Sequence, residues 1–433
     1  MLTAALVAGF GRSGSTALMS LLAAAPRVAF DRVYPFENRY LTYIAKLALL
    51  LERQDPSARV TPHQLFEFAG NAFGSWPWSA TNAEGKDSEA GTCAVTAGRW
   101  LGGLWQTFGT QLAQTSPDAA FYAEKAPSWL PALARECFPT STIYVFRDPR
   151  DIYLSANAFM RKRGTCGFDR SPADTDLDYA RTLAHRFLSY FENYFMDRRR
   201  QDSLMVKYEE MILNTNGLPP RLERQFGIEC HWVDSPWLGA HRTTPDLPSS
   251  VGRWQREPLP AGVDRYLRKY LHAAMAHLGY EVGVSPSASL PPAVEFRSGA
   301  FDPARVRCSP GGQLVPQEDA SATVIATGDF WMILPLPSFE AAGVREIWVS
   351  LKGALGDVCS AYWRSGAEDF SEDRSMHLPY QGGLHWQVFR IPIANHPLWK
   401  GTIAELRIDP FNRKEGSPGA PQTGFVRWLR LVE

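Results

Sequence analysis

Leu2-Thr3-Ala4-Ala5-Leu6-Val7-Ala8 runs into Gly9-Phe10-Gly11-Arg12-Ser13-Gly14-Ser15-Thr16, and that into Ala17-Leu18-Met19-Ser20-Leu21-Leu22. The first stretch is an apolar run of strand length, the last has helical spacing, and the glycine-rich piece between them is a tight turn. Strand, glycine-rich turn and helix together build a phosphate-binding loop. Glycines let the backbone approach an anion closely, and a helix start offers free N–H groups with a partial positive charge of ~0.5 e. Ser13, Ser15 and Thr16 add hydroxyl donors. The stretch predicts an anion site.

Which anion depends on one departure. The nucleotide-triphosphate loop reads G-x-x-x-x-G-K-[ST], with the lysine on the β/γ-phosphates and the hydroxyl on magnesium. Gly9, Gly14 and Thr16 fit that frame, but Ser15 stands where the lysine belongs, and the loop's cation is Arg12. Such a loop is poorly equipped to transfer a γ-phosphate.

The chain has 433 residues, 45% hydrophobic and 21% charged, which is a soluble globular composition spread over more than one domain. Lys plus Arg equals Asp plus Glu at 45 each, so no global field draws it to nucleic acid or an anionic membrane. Any anion site is built locally. The six cysteines include no C-x-x-C pair and read as reduced thiols; the nine histidines show no ligand spacing, so no metal site is expected. No apolar run reaches the ~20 residues of a membrane span, and the N-terminal run lacks a basic leader, so a cytoplasmic location is expected. The oligomeric state is not legible.

Strand-like runs recur at Arg27–Phe30, Phe121–Ala123, Ser141–Phe146 and Leu204–Tyr208, with helical patterns at Tyr40–Glu52, Leu130–Cys137, Ile152–Lys162 and Asp176–Arg200. The alternation predicts an α/β fold: a mainly parallel sheet with helices on both faces. Ligands of such sheets sit at the carboxyl ends of the strands, so Arg12, Glu37, Lys125, Arg147 and Tyr208 are expected on one rim. Residues 55–117, with Trp76, Trp78, Trp100 and Trp105, read as a helical insertion whose tryptophans serve either a pocket wall or the core. A Ser/Pro-rich linker covers 285–295, and helical periodicity then gives way to short β runs over 296–433, an all-β, jelly-roll-like sandwich. Residues 1–284 form the first domain.

Arg147 closes a strand and Ser155 lies eight residues on, so a guanidinium and a hydroxyl can grip one phosphate. Gly252-Arg253-Trp254 offers another cation beside an aromatic ring. In this order the motifs resemble the PAPS-dependent sulfotransferase family, over about residues 1–283. The resemblance implies that Gly11, Arg12, Ser13, Gly14, Ser15 and Thr16 cradle the 5′-phosphosulfate, that Arg147 and Ser155 hold the 3′-phosphate, that Tyr208 of Tyr208-Glu209-Glu210-Met211 lies near the adenine, and that Gly252, Arg253 and Trp254 close over the nucleotide. PAPS is then the co-substrate, PAP the product, and no metal is needed. Small-molecule members carry a loop lysine and a catalytic histidine; Arg12 and the absence of such a histidine make the chain more similar to the branch acting on glycans and proteins. Glu124-Lys125-Ala126-Pro127-Ser128 resembles the E-K-[ST]-P-[SA] segment whose lysine lines the acceptor site of carbohydrate sulfotransferases.

The implied chemistry is sulfuryl transfer to a hydroxyl acceptor by in-line displacement, with a glycan expected. Arg12 and Lys125 would stabilise shifting charge. Glu37 is the leading base, in a Pro-Phe-Glu setting expected to desolvate it, and Glu124 its rival; a helix-start acid favoured by the dipole accounts for Glu37 equally. In the sandwich, Trp363, Trp386 and Trp399 either stack on sugars or pack in the core. The alternatives are a P-loop nucleotide kinase, and a non-enzymatic glycan-binding protein with a degenerate nucleotide fold.

Overall fold

A computed structural model describes residues 2–33, 35–52, 89–231, 242–282, 293–296, 305–318, 321–326, 330–353, 358–366, 368–380, 383–412 and 422–433. They divide into two compact units, Met1–Tyr179 with Asp197–Pro260, and Ala180–Met196 with Ala261–Glu433. Trp76, Trp78 and most of the linker lie outside the described residues.

The first unit is built on β1 (Thr3–Gly9), α1 (Ser15–Leu22), β2 (Val28–Phe30), α2 (Tyr40–Glu52), α3 (Glu89–Thr115), β3 (Phe121–Ala126), α4 (Leu130–Cys137), β4 (Thr140–Phe146) and α5 (Pro149–Arg163). It continues through β5 (Ser203–Lys207), α7 (Tyr208–Leu213), α8 (Leu218–Phe226) and α9 (Arg253–Arg256), while α6 (Asp176–Asp197) and α10 (Ala261–His277) lie mainly in the other unit. The five strands are all parallel, in the order β2-β3-β1-β4-β5. Side chains alternate across the pleat, so Ala5 and Val7 pack with α1, α7 and α8, while Ala4 and Leu6 pack with α2, α3 and α4. Covering both faces explains why these strands read as continuous apolar runs. Within the region expected as an insertion, the described part is α3; its Trp105 is buried against Phe138, with Trp100 exposed.

Local signals set the helix that matters most to the site. Asp148 caps α5 by accepting from Arg150 N, Pro149 needs no donor at the first position, and Gly164 ends the helix at φ 68° behind Arg161, Lys162 and Arg163.

Among its described residues the second unit holds a two-stranded antiparallel pair, Phe339–Glu340 with Thr402–Ile403, and two larger antiparallel sheets. One runs Ser375–Pro379, Val358–Arg364, Glu405–Asn412, Met332–Ile333, Arg307–Cys308; the other runs Gly383–Ile391, Glu346–Gly353, Gln422–Val432, Ala322–Ala326, Gln313–Pro316. Inward residues of both, among them Val349, Leu351, Ala361, Trp363, Leu406 and Leu429, share one core, which makes a sandwich. The outer face of the second sheet packs on its own helical pieces: Asn193 bonds the Trp386 backbone on both sides, and Tyr270 lies against Trp348. Trp363, Trp386 and Trp399 are all buried, and Trp363 and Trp399 pack edge to face at 5.2 Å. Of the two readings offered for these indoles, packing in the interior is the one the structure shows, with Trp399 Nε1 donating to the carbonyls of Ala341 and Val344.

Candidate active site

The carboxyl ends of the strands gather the predicted residues. Gly14 takes φ 103° as α1 begins, and a Cβ there would lie 2.3 Å from the Tyr208 ring, so only glycine fits. Arg12 sits at φ 68°, a strained conformation for a residue with a Cβ. Ser13 is buried, and its Oγ has no partner among the described residues, an unmet hydroxyl in a loop whose backbone curls around it. A loop of this kind fits an anion that offers the missing acceptor.

Arg12 Nε donates to Ser155 Oγ at 3.1 Å, and its guanidinium lies 4.6 Å from the Phe159 ring centre. Arg147, buried, donates to Arg12 O at 3.2 Å and to Ser250 O at 2.6 Å, and rests 4.5 Å over Tyr208. Tyr208 Oη in turn meets Ser250 Oγ at 2.7 Å. Loop, central strand, fifth strand and late turn are thus joined by direct contacts. Gly252, at φ 60°, starts α9, and Trp254 N donates to Asp151 at 2.9 Å. The Arg150 guanidinium lies 3.5 Å over Trp254. Arg253 turns to Glu257 through two bonds, at 2.6 and 2.7 Å. Ser15 starts α1, and Gly11 packs where a Cβ would lie 2.9 Å from Phe168.

The other half of the site is Lys125. Its Nζ donates to Thr16 Oγ1 at 2.7 Å, to Pro35 O at 2.6 Å and to Glu37 Oε1 at 3.3 Å. Burial pulls this ammonium down to about 8. Glu37 follows Phe36, which is buried at φ 64°, but its own side chain is 54% exposed. The expected desolvation of Glu37 is not found, because the buried group in Pro-Phe-Glu is the phenylalanine. Glu124 faces the other side of β3 and accepts from Leu41 N at 2.7 Å, Thr42 N at 3.0 Å and Thr42 Oγ1 at 2.9 Å. Burial pushes its carboxyl up to about 7 against those bonds.

Sequence reading missed Asp151 and Glu209. Asp151 is fully buried and holds Trp254, with its carboxyl pushed up by burial; Glu209 accepts from Asp148 N at 2.9 Å, and burial raises it to about 7. The available signal was the charge-dense run Arg147-Asp148-Pro149-Arg150-Asp151, read only for its first arginine. A cavity of about 1120 Å³ opens at the other, amino-terminal end of the strands, around Leu2, Trp105 and Pro139, and is no part of this site. Among the described residues no cluster of three His, Cys, Asp or Glu could hold a metal, and no helix is long and apolar enough to cross a membrane.

With this geometry in view, residues 5–234 match the family model described as "Sulfotransferase family". No curated protein matches the chain. Among solved structures, the sulfotransferase domain of the Synechococcus PCC 7002 olefin synthase is similar at 13% identity and TM-score 0.39, covering 65% of this chain and 95% of that one. The sulfotransferase domain of the curacin biosynthetic pathway aligns at 16% identity and TM-score 0.35, covering 65% and 99%. A xylan-binding module, CBM86, of Roseburia intestinalis aligns at 12% identity and TM-score 0.23, covering 33% of this chain and 96% of the module.

Proposed function

The chain belongs to the sulfotransferase family, and from that premise we propose that it moves the sulfuryl group of PAPS to a hydroxyl of a glycan by in-line displacement, without a metal. The observation that carries the reading is Lys125 Nζ on Thr16 Oγ1 at 2.7 Å. In a triphosphate loop that hydroxyl serves magnesium; here an ammonium engages it. A donor with two anionic ends suits a rim that gathers three cations, Lys125 and Arg12 at the loop and Arg147 beyond β4, with Ser155 Oγ held by Arg12. The orphaned Ser13 Oγ supports an anion in the loop itself.

In the proposed step Glu37 takes the acceptor's proton as the acceptor oxygen bonds to sulfur and the bond to the departing phosphate oxygen breaks. Lys125, 3.3 Å from Glu37, and Arg12 balance the charge that moves to the leaving oxygen. Glu37's exposure suits a base that must meet an acceptor arriving from solvent, whereas Glu124 has its oxygens engaged by α2. We assign this chemistry to residues 1–284. A glycan acceptor is favoured by the Glu124–Ser128 segment and by the sandwich carried on the same chain.

Incubating the full chain with radiolabelled PAPS and a panel of glycans, phenols and peptides in EDTA tests the assignment. Label on a glycan hydroxyl is expected. Label on phenols or peptides alone replaces the acceptor class, and no label on any acceptor, with phosphate transfer in a parallel incubation with ATP and magnesium, replaces the reaction.

A further inference from the structure

Glu124 and Lys125 are neighbours on β3 and point to opposite faces of the sheet. Between them they grip one short segment. On one face Lys125 donates to Pro35 O and Glu37 Oε1. On the other, the Glu124 carboxylate accepts from the backbone N–H groups of Leu41 and Thr42 and from Thr42 Oγ1. These are the first residues of α2, whose first turn holds no acid of its own. Free N–H groups at a helix start need acceptors and favour negative charge. Here the acceptor comes from a strand 82 residues away.

We propose that Glu124 is a positioning residue for the transfer: its carboxylate fixes the start of α2 and so holds Glu37 against Lys125 beside the anion loop. The inference rests on the reading of Glu37 as base. At 3% exposure Glu124 cannot itself receive a proton from an acceptor in solvent. Its surroundings are Tyr122 Oη, which donates to it at 3.5 Å, and Arg39 just before α2; Tyr122 in turn has Tyr40 and Asp31 near it. From α3 the rings of Trp105 and Phe108 close over Tyr122. Arg39, the long Tyr122 bond and the Leu41 and Thr42 donors favour the charged form, but burial prevails and pushes the carboxyl up to about 7. Protonation removes the charge that the helix start binds. The acid limb of turnover is therefore set by Glu124, which never touches substrate.

Glu124→Gln in the full chain tests this. The amide is isosteric and has no charge to bury, but its NH2 faces one of the two N–H donors, so a thermal melt with PAP is run beside it to establish that the variant is folded. Two readouts are followed on either side of pH 7: amide hydrogen exchange at Leu41 and Thr42, and release of labelled sulfate from PAPS with water as acceptor. Above pH 7 exchange at both amides is expected to quicken by about tenfold, the worth of one charge-assisted hydrogen bond. Sulfate release falls to a lower plateau and loses its acid limb near 7. Unchanged exchange, or an acid limb and plateau like wild type, overturns the proposal. Glu37→Gln is run beside it. Full sulfate release in that variant, with Leu41 and Thr42 still protected, overturns the base reading and with it the route by which Glu124 acts.

Discussion

Lys125 Nζ lies 2.7 Å from Thr16 Oγ1, so a lysine of β3 reaches the first turn of the helix that follows β1. The register explains the reach: Lys125 pairs with Val7, two residues before the loop, and its side chain emerges on the α1 face. The cation absent at Ser15 is thereby supplied from the neighbouring strand.

Lys125→Met should lower turnover by on the order of 10²–10³, the effect of removing one preorganised charge-stabilising donor. In wild type the ammonium is charged below about pH 8, so turnover should fall as pH rises through that value, and the variant should lack this alkaline limb. Stability runs the other way. The folded pKa is depressed, so between about 8 and 10.5 the unfolded chain binds more protons and stability rises with pH. Chemical denaturation across that window should show the rise in wild type and not in Lys125→Met.

Arg147→Ala should weaken PAP binding by ~1.5–3 kcal/mol, the range for hydrogen bonds to charged groups. Ser155→Ala should cost less, since a hydroxyl brings no charge. Adenosine 5′-phosphate, which lacks the 3′-phosphate, should bind both wild type and Arg147→Ala about equally in calorimetry. A large difference there would mean that Arg147 acts by holding the Arg12 and Ser250 carbonyls instead.

Gly14→Ala combines a Cβ at φ 103° with an approach of 2.3 Å to Tyr208. The left-handed backbone alone costs about 1–3 kcal/mol, and the ring must also move. Loss of PAP binding with a lowered Tm is expected; a wild-type PAP affinity would show that the loop tolerates displacement of Tyr208.

A chain ending at residue 284 keeps every candidate site residue but strips part of the second unit of its sheet. Glu192, 2% exposed, loses Arg427 and Trp428 Nε1, and His185 loses the Val388 carbonyl. Tyr270 loses Trp348, which lies 5.9 Å away in the whole protein. Aggregation of this fragment is expected in size-exclusion chromatography. A monomeric fragment that binds PAP as the full chain does would show that residues 1–284 fold alone.

The parallel sheet was legible because strands covered on both faces read as unbroken apolar runs, as in Ser141–Phe146. The strand Val358–Arg364 was not. Its inward Cys359, Ala361 and Trp363 alternate with Ser360 and Tyr362, hydroxyl-bearing residues that are buried as well, so no apolar–polar alternation marks it. Helical periodicity revealed α6 but could not say what it covers, α10 was not read at all, and most of their length belongs with the sandwich. At the site, Arg12, Arg147 and Tyr208 were readable from their places after strands, whereas Lys125 lies within β3, which runs three residues past the Ala123 end read from sequence. The role of Glu124 was not readable, since a carboxylate that caps a distant helix leaves no local pattern.

A donor with two anionic ends, held without magnesium, has a direct signature in binding heats. Calorimetric titration of the full chain in EDTA with PAP, and separately with ATP and excess magnesium, tests it most directly. The expected result is binding of PAP in EDTA, weakened when the 3′-phosphate is removed. Tight binding of ATP with magnesium, together with no heat from PAP, would contradict the account and return the loop to phosphoryl chemistry.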